Sequence, residues 1–101
     1  MTMLKIKQAT HIDNYKIFVE FSNKEKATVD LKKTIFDDKR QIFQQLKNVN
    51  NFKNFKLHFG TINWFNDLDI APEYLYWTAF KNKKTLQEKF KQWGYESKNQ
   101  T

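Results

Sequence analysis

Apolar side chains recur at every second position through the first third of the chain. Leu4 and Ile6 alternate with Lys5 and Lys7, and the pattern continues imperfectly to Ile12. Tyr15, Ile17, Val19 and Phe21 alternate with Lys16, Phe18 and Glu20, and Ala27, Val29 and Leu31 alternate with Lys26, Thr28 and Asp30. A period of two marks a half-buried strand. Asp13-Asn14 is a turn pair, because both side chains tolerate left-handed backbone and bond their own main chain. Ser22-Asn23-Lys24-Glu25 is a hairpin loop. Three strands with short links predict an antiparallel meander.

The spacing then changes. Ile42, Leu46 and Val49 recur at i, i+4 and i+7 with Phe43 beside them, predicting a helix capped by Asp37 or Asp38 and running to about Lys47. The Asn-rich run NVNNFKNF predicts a helical turn that drops Phe52 and Phe55 onto the core. Alternation returns at Leu57 and Phe59 against Lys56 and His58, and at Ile62 and Trp64 against Thr61 and Asn63. Gly60 permits a tight reversal between them, so a second hairpin closes near Gly60 and ends at Asn66-Asp67. Pro72 is pre-organised for a first helical turn, and Glu73 suits the positive end of the helix dipole. That helix carries Tyr74, Leu75, Tyr76, Trp77 and Phe80. A last helix from about Lys84 to Trp93 has Leu86, Phe90 and Trp93 on one face, stops at Gly94, and leaves residues 96–101 to fray. The predicted class is α+β: a three-stranded antiparallel meander, a helix, a second β-hairpin, then two C-terminal helices.

A chain of 101 residues with ten Phe supports one domain over 1–101 with a real core. No run reaches the roughly 18 apolar residues that span a bilayer. No secretory leader is legible, and the absence of cysteine excludes disulfides and thiolate chemistry, so a cytoplasmic protein is expected. The formal charge of +7 suggests anionic partners. Seventeen of the eighteen basic residues are Lys, however, and Asn occurs ten times. Lys, Asn, Phe and Ile are residues that AT-rich codons favour, and the single Arg40 does not support base-specific readout. The charge is also uneven: residues 1–59 carry a net +6, residues 60–80 a net −3, and residues 81–101 a net +4.

The stretch GTINWFNDLDIAPEYLYW, Gly60 to Trp77, concentrates the acidic island, the one proline and one of the two glycines. With the meander LKIKQATHIDNYKIFVEFSNKEKATVDL and the block IFQQLKNVNNFKNFKLHFGTINWFNDLDIAPEYLY, it resembles the bacterial domain-of-unknown-function 2442 family over about residues 4–80. Gly60, Thr61, Ile62, Trp64, Asp69, Ile70, Ala71, Pro72, Glu73 and Leu75 match the family pattern. Family members usually show Pro then Asn-Gly after the tryptophan, where this chain has Phe65-Asn66-Asp67, so a different turn is expected there. The resemblance implies an α+β domain with a meander and a second hairpin, and no established activity. It also implies an antitoxin-like or regulatory role, because members often look like one half of a two-gene pair and some carry an appended helix-turn-helix.

The candidate sites each have a bland counterpart. Asp67, Asp69 and Glu73 could ligate a hard cation or form a partner-facing acidic patch, but capping of the helix at Pro72 by Asp69 and Glu73, with Asp67 in the turn, explains them more simply, and no metal or other cofactor is expected. His11 and His58 stand in no catalytic arrangement, and His58 alternates outward from Leu57 and Phe59. Trp64, Tyr74, Tyr76 and Trp77 could form a stacking platform, with core packing the plainer reading. Tyr74, Tyr76 and Trp77 cannot all face inward, so one is expected to be exposed or covered by the last helix. The basic amphipathic segment 83–94 is expected to dock on its own domain.

No chemistry is declared. The expected function is a non-catalytic macromolecule-binding module whose partner is another protein or a second copy. Its contact residues would be Tyr74, Trp77, Phe80, Leu86, Phe90 and Trp93. The alternative is nucleic-acid binding through Lys81, Lys83, Lys84, Lys89 and Lys91. Neither a membrane nor a small-molecule substrate is expected.

Overall fold

Burial follows the alternation along the meander. In the structure, a computed structural model that describes residues 3–64 and 68–95, Ile6, Ile17, Val19, Phe21, Val29 and Leu31 are all buried. They lie on β1 (Ile6–Asp13), β2 (Lys16–Phe21) and β3 (Lys26–Asp30), or just beyond, in an antiparallel sheet of order β1-β2-β3. Asn14 takes a positive φ of 43° at the first turn, and Lys24 one of 75° in the second loop, where the Asn23 side chain accepts from the Glu25 amide.

The connection after β3 differs from the predicted single helix. Helix α1 (Lys32–Asp37) lies before the helix predicted from a cap at Asp37 or Asp38, and it buries Ile35. The chain breaks at Asp38, whose backbone is extended, and resumes as α2 (Gln41–Gln44), a 3-10 turn (Gln45–Lys47) and α3 (Val49–Phe52). The break has a local cause. The Asp38 carboxylate accepts from the Arg40 amide and grips the Arg40 guanidinium at 2.7 Å, which fixes a turn where a continuous helix would run. Asn48 caps α3 by accepting from the Asn50 amide. Phe43, Leu46 and Phe52 reach the core as expected, while the side chain of Ile42 lies outside the description.

The second sheet has three strands, not two: β4 (Lys56–His58), β5 (Thr61–Asn63) and β6 (Asp69–Ile70), in the order β4-β5-β6. The missed strand is two residues long, too short for alternation to reveal. The predicted turn at Asn66-Asp67 and the fraying of residues 96–101 lie outside the described residues. Trp64 is buried as expected, and its indole N–H donates to the Phe52 carbonyl at 2.7 Å. A buried indole left without that acceptor would cost about 1–3 kcal/mol.

Helix α4 (Pro72–Phe80) begins with Pro72 in its first turn, as predicted, but Asp69 does not cap it. Ala71 occupies the cap position without a side-chain bond, and Asp69 is exposed in β6 opposite Asn63. Proline removes one of the orphan amides, and Glu73 sits in the first turn against the dipole, so no side-chain cap is required. A 3-10 turn (Lys84–Leu86) leads into α5 (Gln87–Gln92). Gly94 ends it at φ 91°, with Gly94 N–H donating to the Lys91 carbonyl and Tyr95 N–H to the Phe90 carbonyl, a Schellman closure. The fold is α+β, with one apolar core shared by both sheets and the helices.

Candidate functional site

The six residues expected to meet a partner come together, but around each other. Tyr76 is buried and makes edge contacts with Phe21 at 5.1 Å, Phe90 at 6.0 Å and Trp93 at 5.9 Å. Phe90 is only 1% exposed, so its side chain belongs to the chain's own core and is not a partner surface. Tyr74, Trp77, Phe80, Leu86 and Trp93 are half-buried against that core. Tyr95 stacks on Trp77 at 5.4 Å and 22°, closing the cluster from outside. The last helix therefore docks on its own domain. Burial pushes the Tyr76 hydroxyl up to about 12, helped by its 2.9 Å bond to the Glu25 carboxylate. Burial also raises the Tyr95 hydroxyl, with the Glu73 charge adding to the effect.

The lysines expected to meet phosphates rest largely on these rings. The ammonium of Lys81 lies 5.2 Å from the Trp77 centroid, and that of Lys83 lies 5.2 Å from Phe80. Lys89 lies 5.5 Å from both Tyr76 and Trp93. The habit extends beyond the C-terminus: Lys32 and Lys47 flank Phe36, and the Arg40 guanidinium covers Phe43 at 4.7 Å. Each such contact is worth about 0.5–1 kcal/mol at an exposed site, and the aliphatic stem screens the ring from water. Lys84 and Lys91 are exposed.

The tip of the second hairpin is built differently. His58 pairs with Thr61, so the turn consists of Phe59 and Gly60 alone, with φ of 52° and 76°. Two positive φ values in a two-residue loop are those of the mirror-image turn that matches strand twist, for which Asn-Gly is the favoured pair. A phenylalanine there is under backbone strain. Phe59 is 85% exposed, and the His58 ring lies beside it at 4.3 Å. Among the described residues no cation covers it. Leu57 is 41% exposed on β4. Gly60 is held against the first sheet: Ile6 N–H donates to its carbonyl at 2.8 Å, and a Cβ there would stand 2.8 Å from the Lys5 Cβ.

Alternation alone carries Phe59 inward with Leu57, and the structure corrects both. The available signal was the short loop. A two-residue turn ending at Gly60 takes the preceding residue out of the strand, and it leaves β4 too short to bury a face.

Set against protein-family models, residues 6–81 match the family described as Protein of unknown function (DUF2442). The chain belongs to the DUF2442 family. No curated protein and no solved structure matches it. The DUF2442 match spans both sheets and α4 and ends just before the 3-10 turn and α5. The terminal segment that inserts Phe90 beside Tyr76 thus lies outside the DUF2442 portion. The hairpin tip lies within it.

The other candidates stay apart. A cleft of about 360 Å³ between α1 and α4 is lined by Asp30, Asp37, Tyr74, Trp77 and Lys81. Its carboxylates are engaged: Asp30 accepts from the Lys32 amide, and Asp37 pairs with Lys33 at 2.9 Å. Asp69 lines a separate hollow with Arg40, and Glu73 a third with Lys89 and Trp93. Asp67 lies outside the described residues. His11 sits 3.0 Å from the Asn14 carbonyl, and His58 is exposed on β4. Among the described residues no three His, Cys, Asp or Glu side chains gather as a metal site, and no helix is long and apolar enough to cross a membrane.

Proposed function

We propose that this chain is a non-catalytic protein-binding module that engages its partner through the β4–β5 tip. One observation carries the reading. Phe36, Trp77 and Phe80 each lie under a lysine and Phe18 and Phe55 are partly buried, whereas Phe59 is 85% exposed, with the His58 ring beside it, in a backbone conformation unfavourable to it. Exposure and strain at one residue are costs that a docking role repays, because a solvent-exposed aromatic becomes a buried anchor on association. The antitoxin-like role implied by the family resemblance is one form of this reading, with a second small protein as the partner.

Affinity capture from the source cell with the native chain and with Phe59→Asn tests it. The native chain is expected to retain a protein that the variant loses. Retention of the same protein by both would overturn the assignment of the tip. The nucleic-acid alternative makes a different prediction: capture indifferent to Phe59→Asn, with affinity dropping in Lys83→Glu/Lys84→Glu and falling linearly on a log–log salt plot.

A further inference from the structure

We infer that β4 is completed by strand addition, an extended partner segment of alternating acidic and apolar residues lying along its free edge. This rests on the protein-binding reading above and specifies how the partner is held. β4 is the outer strand of its sheet and pairs only with β5. In a hairpin closed by a two-residue turn, the flanking pair His58–Thr61 exchanges both ladder bonds, and the next pair, Leu57–Ile62, exchanges none. The Leu57 N–H and carbonyl therefore point away from β5, and although β1 passes near β4, no strand other than β5 pairs with it among the described residues. These are the groups through which an added strand gains its main-chain bonds.

Charge selects the occupant. Lys56 and His58 lie on β4 itself, Lys53 precedes it by three residues, and residues 53–60 contain no acid. A lysine on a short edge strand discourages pairing with a second copy, which would bring another +7 chain against it. The same lysine attracts a strand carrying carboxylates. Lys56 and His58 project to one face and Leu57 to the other, so a partner strand with acids on one side and apolar residues on the other meets both. The exposed Phe59 ring lies at the end of this track.

The probe is a ten-residue peptide of alternating Glu and Val, with a Lys-for-Glu analogue as its control. Amide hydrogen exchange of the native chain, read by NMR, is expected to slow at Leu57 by at least tenfold at saturating Glu-Val peptide and not with the Lys analogue. Unchanged exchange at Leu57, or equal protection by both peptides, would overturn strand addition. Leu57→Pro removes the outward N–H, at a position where an edge strand tolerates proline, and Leu57→Ala, which keeps that N–H, controls for the lost side chain. With the fold confirmed by circular dichroism, Leu57→Pro should lose the partner that the native chain captures. If Phe59→Asn loses that partner while Leu57→Pro keeps it, protein binding at the tip stands and strand addition falls. Retention by both variants removes both.

Discussion

Replacing Phe59 by Asn should make the protein more stable while abolishing partner capture. Phe59 is 85% exposed, so folding removes only a small part of it from water. Full burial of a phenylalanine contributes about 1.5–3 kcal/mol, and the covered remainder here scales to roughly 0.2–0.5 kcal/mol. Against that loss stands the left-handed backbone at φ 52°. A side chain with a bulky Cβ substituent costs about 1–2 kcal/mol there, whereas Asn adopts the region readily and forms the favoured pair with Gly60. The net gain is about 0.5–1.8 kcal/mol. For a domain of this size each kcal/mol moves the melting temperature by roughly 4–8 °C, so an increase of about 2–14 °C is expected. Differential scanning calorimetry at fixed pH and salt, with a urea melt as an independent measure, reads it directly. A loss of 1 kcal/mol or more would show that the ring is packed in the folded chain, and the reasoning that makes it a docking anchor would fail with it.

Three further outcomes follow from the packing. Phe90→Ala should cost about 3–5 kcal/mol, the range for a buried aromatic, measured by urea unfolding; a cost below 1 kcal/mol would mean that α5 is not part of the cooperative core. Gly60→Ala should destabilise by about 1–3 kcal/mol, since the new methyl meets the Lys5 Cβ at 2.8 Å at a φ of 76°; an unchanged thermal midpoint would refute the close approach of the two sheets. Tyr76 titrates higher in the folded chain, at about 12, than the usual 10 of an unfolded tyrosine, so its contribution is complete below about pH 10 and is lost as pH rises towards 12. Native protein should therefore lose up to about 2 kcal/mol more than Tyr76→Phe across that window, and parallel pH–stability curves would contradict the raised value.

The strands of the meander were legible because one face is buried and the other is wet, so Ile17, Val19 and Phe21 print their geometry directly onto the sequence. Pro72 and Gly94 likewise mark helix ends by backbone chemistry that needs no tertiary partner. What failed was set by side chains acting across turns. The predicted helix capped at Asp37 or Asp38 missed α1, which lies before that cap, and the bidentate grip of Asp38 on Arg40 delays α2 to Gln41; a carboxylate followed two residues later by an arginine is too common to announce such a turn. The assignment of Asp69 to the α4 cap failed because Ala71 and Pro72 begin the helix without side-chain help. The site was the least legible part. The aromatic stripe of the last helix looked like a partner surface, yet Tyr76 supplies its partner from within. Phe59, counted as an ordinary strand residue, is the ring left outside. Its exposure depends on where the reversal falls by a single residue, which periodicity cannot resolve.

The ammonium groups resting on Phe36, Trp77, Phe80 and Trp93 tie two compositional excesses together. Codon drift towards A and T enriches phenylalanine and lysine at once, and in this architecture the second shields the first. The arrangement leaves the surface sensitive to amine chemistry. Acylating Lys81, Lys83 and Lys89 would leave their aliphatic stems in place but remove the cationic contacts to Trp77, Phe80, Tyr76 and Trp93 and lower the net charge, weakening the repulsion between copies without changing the core.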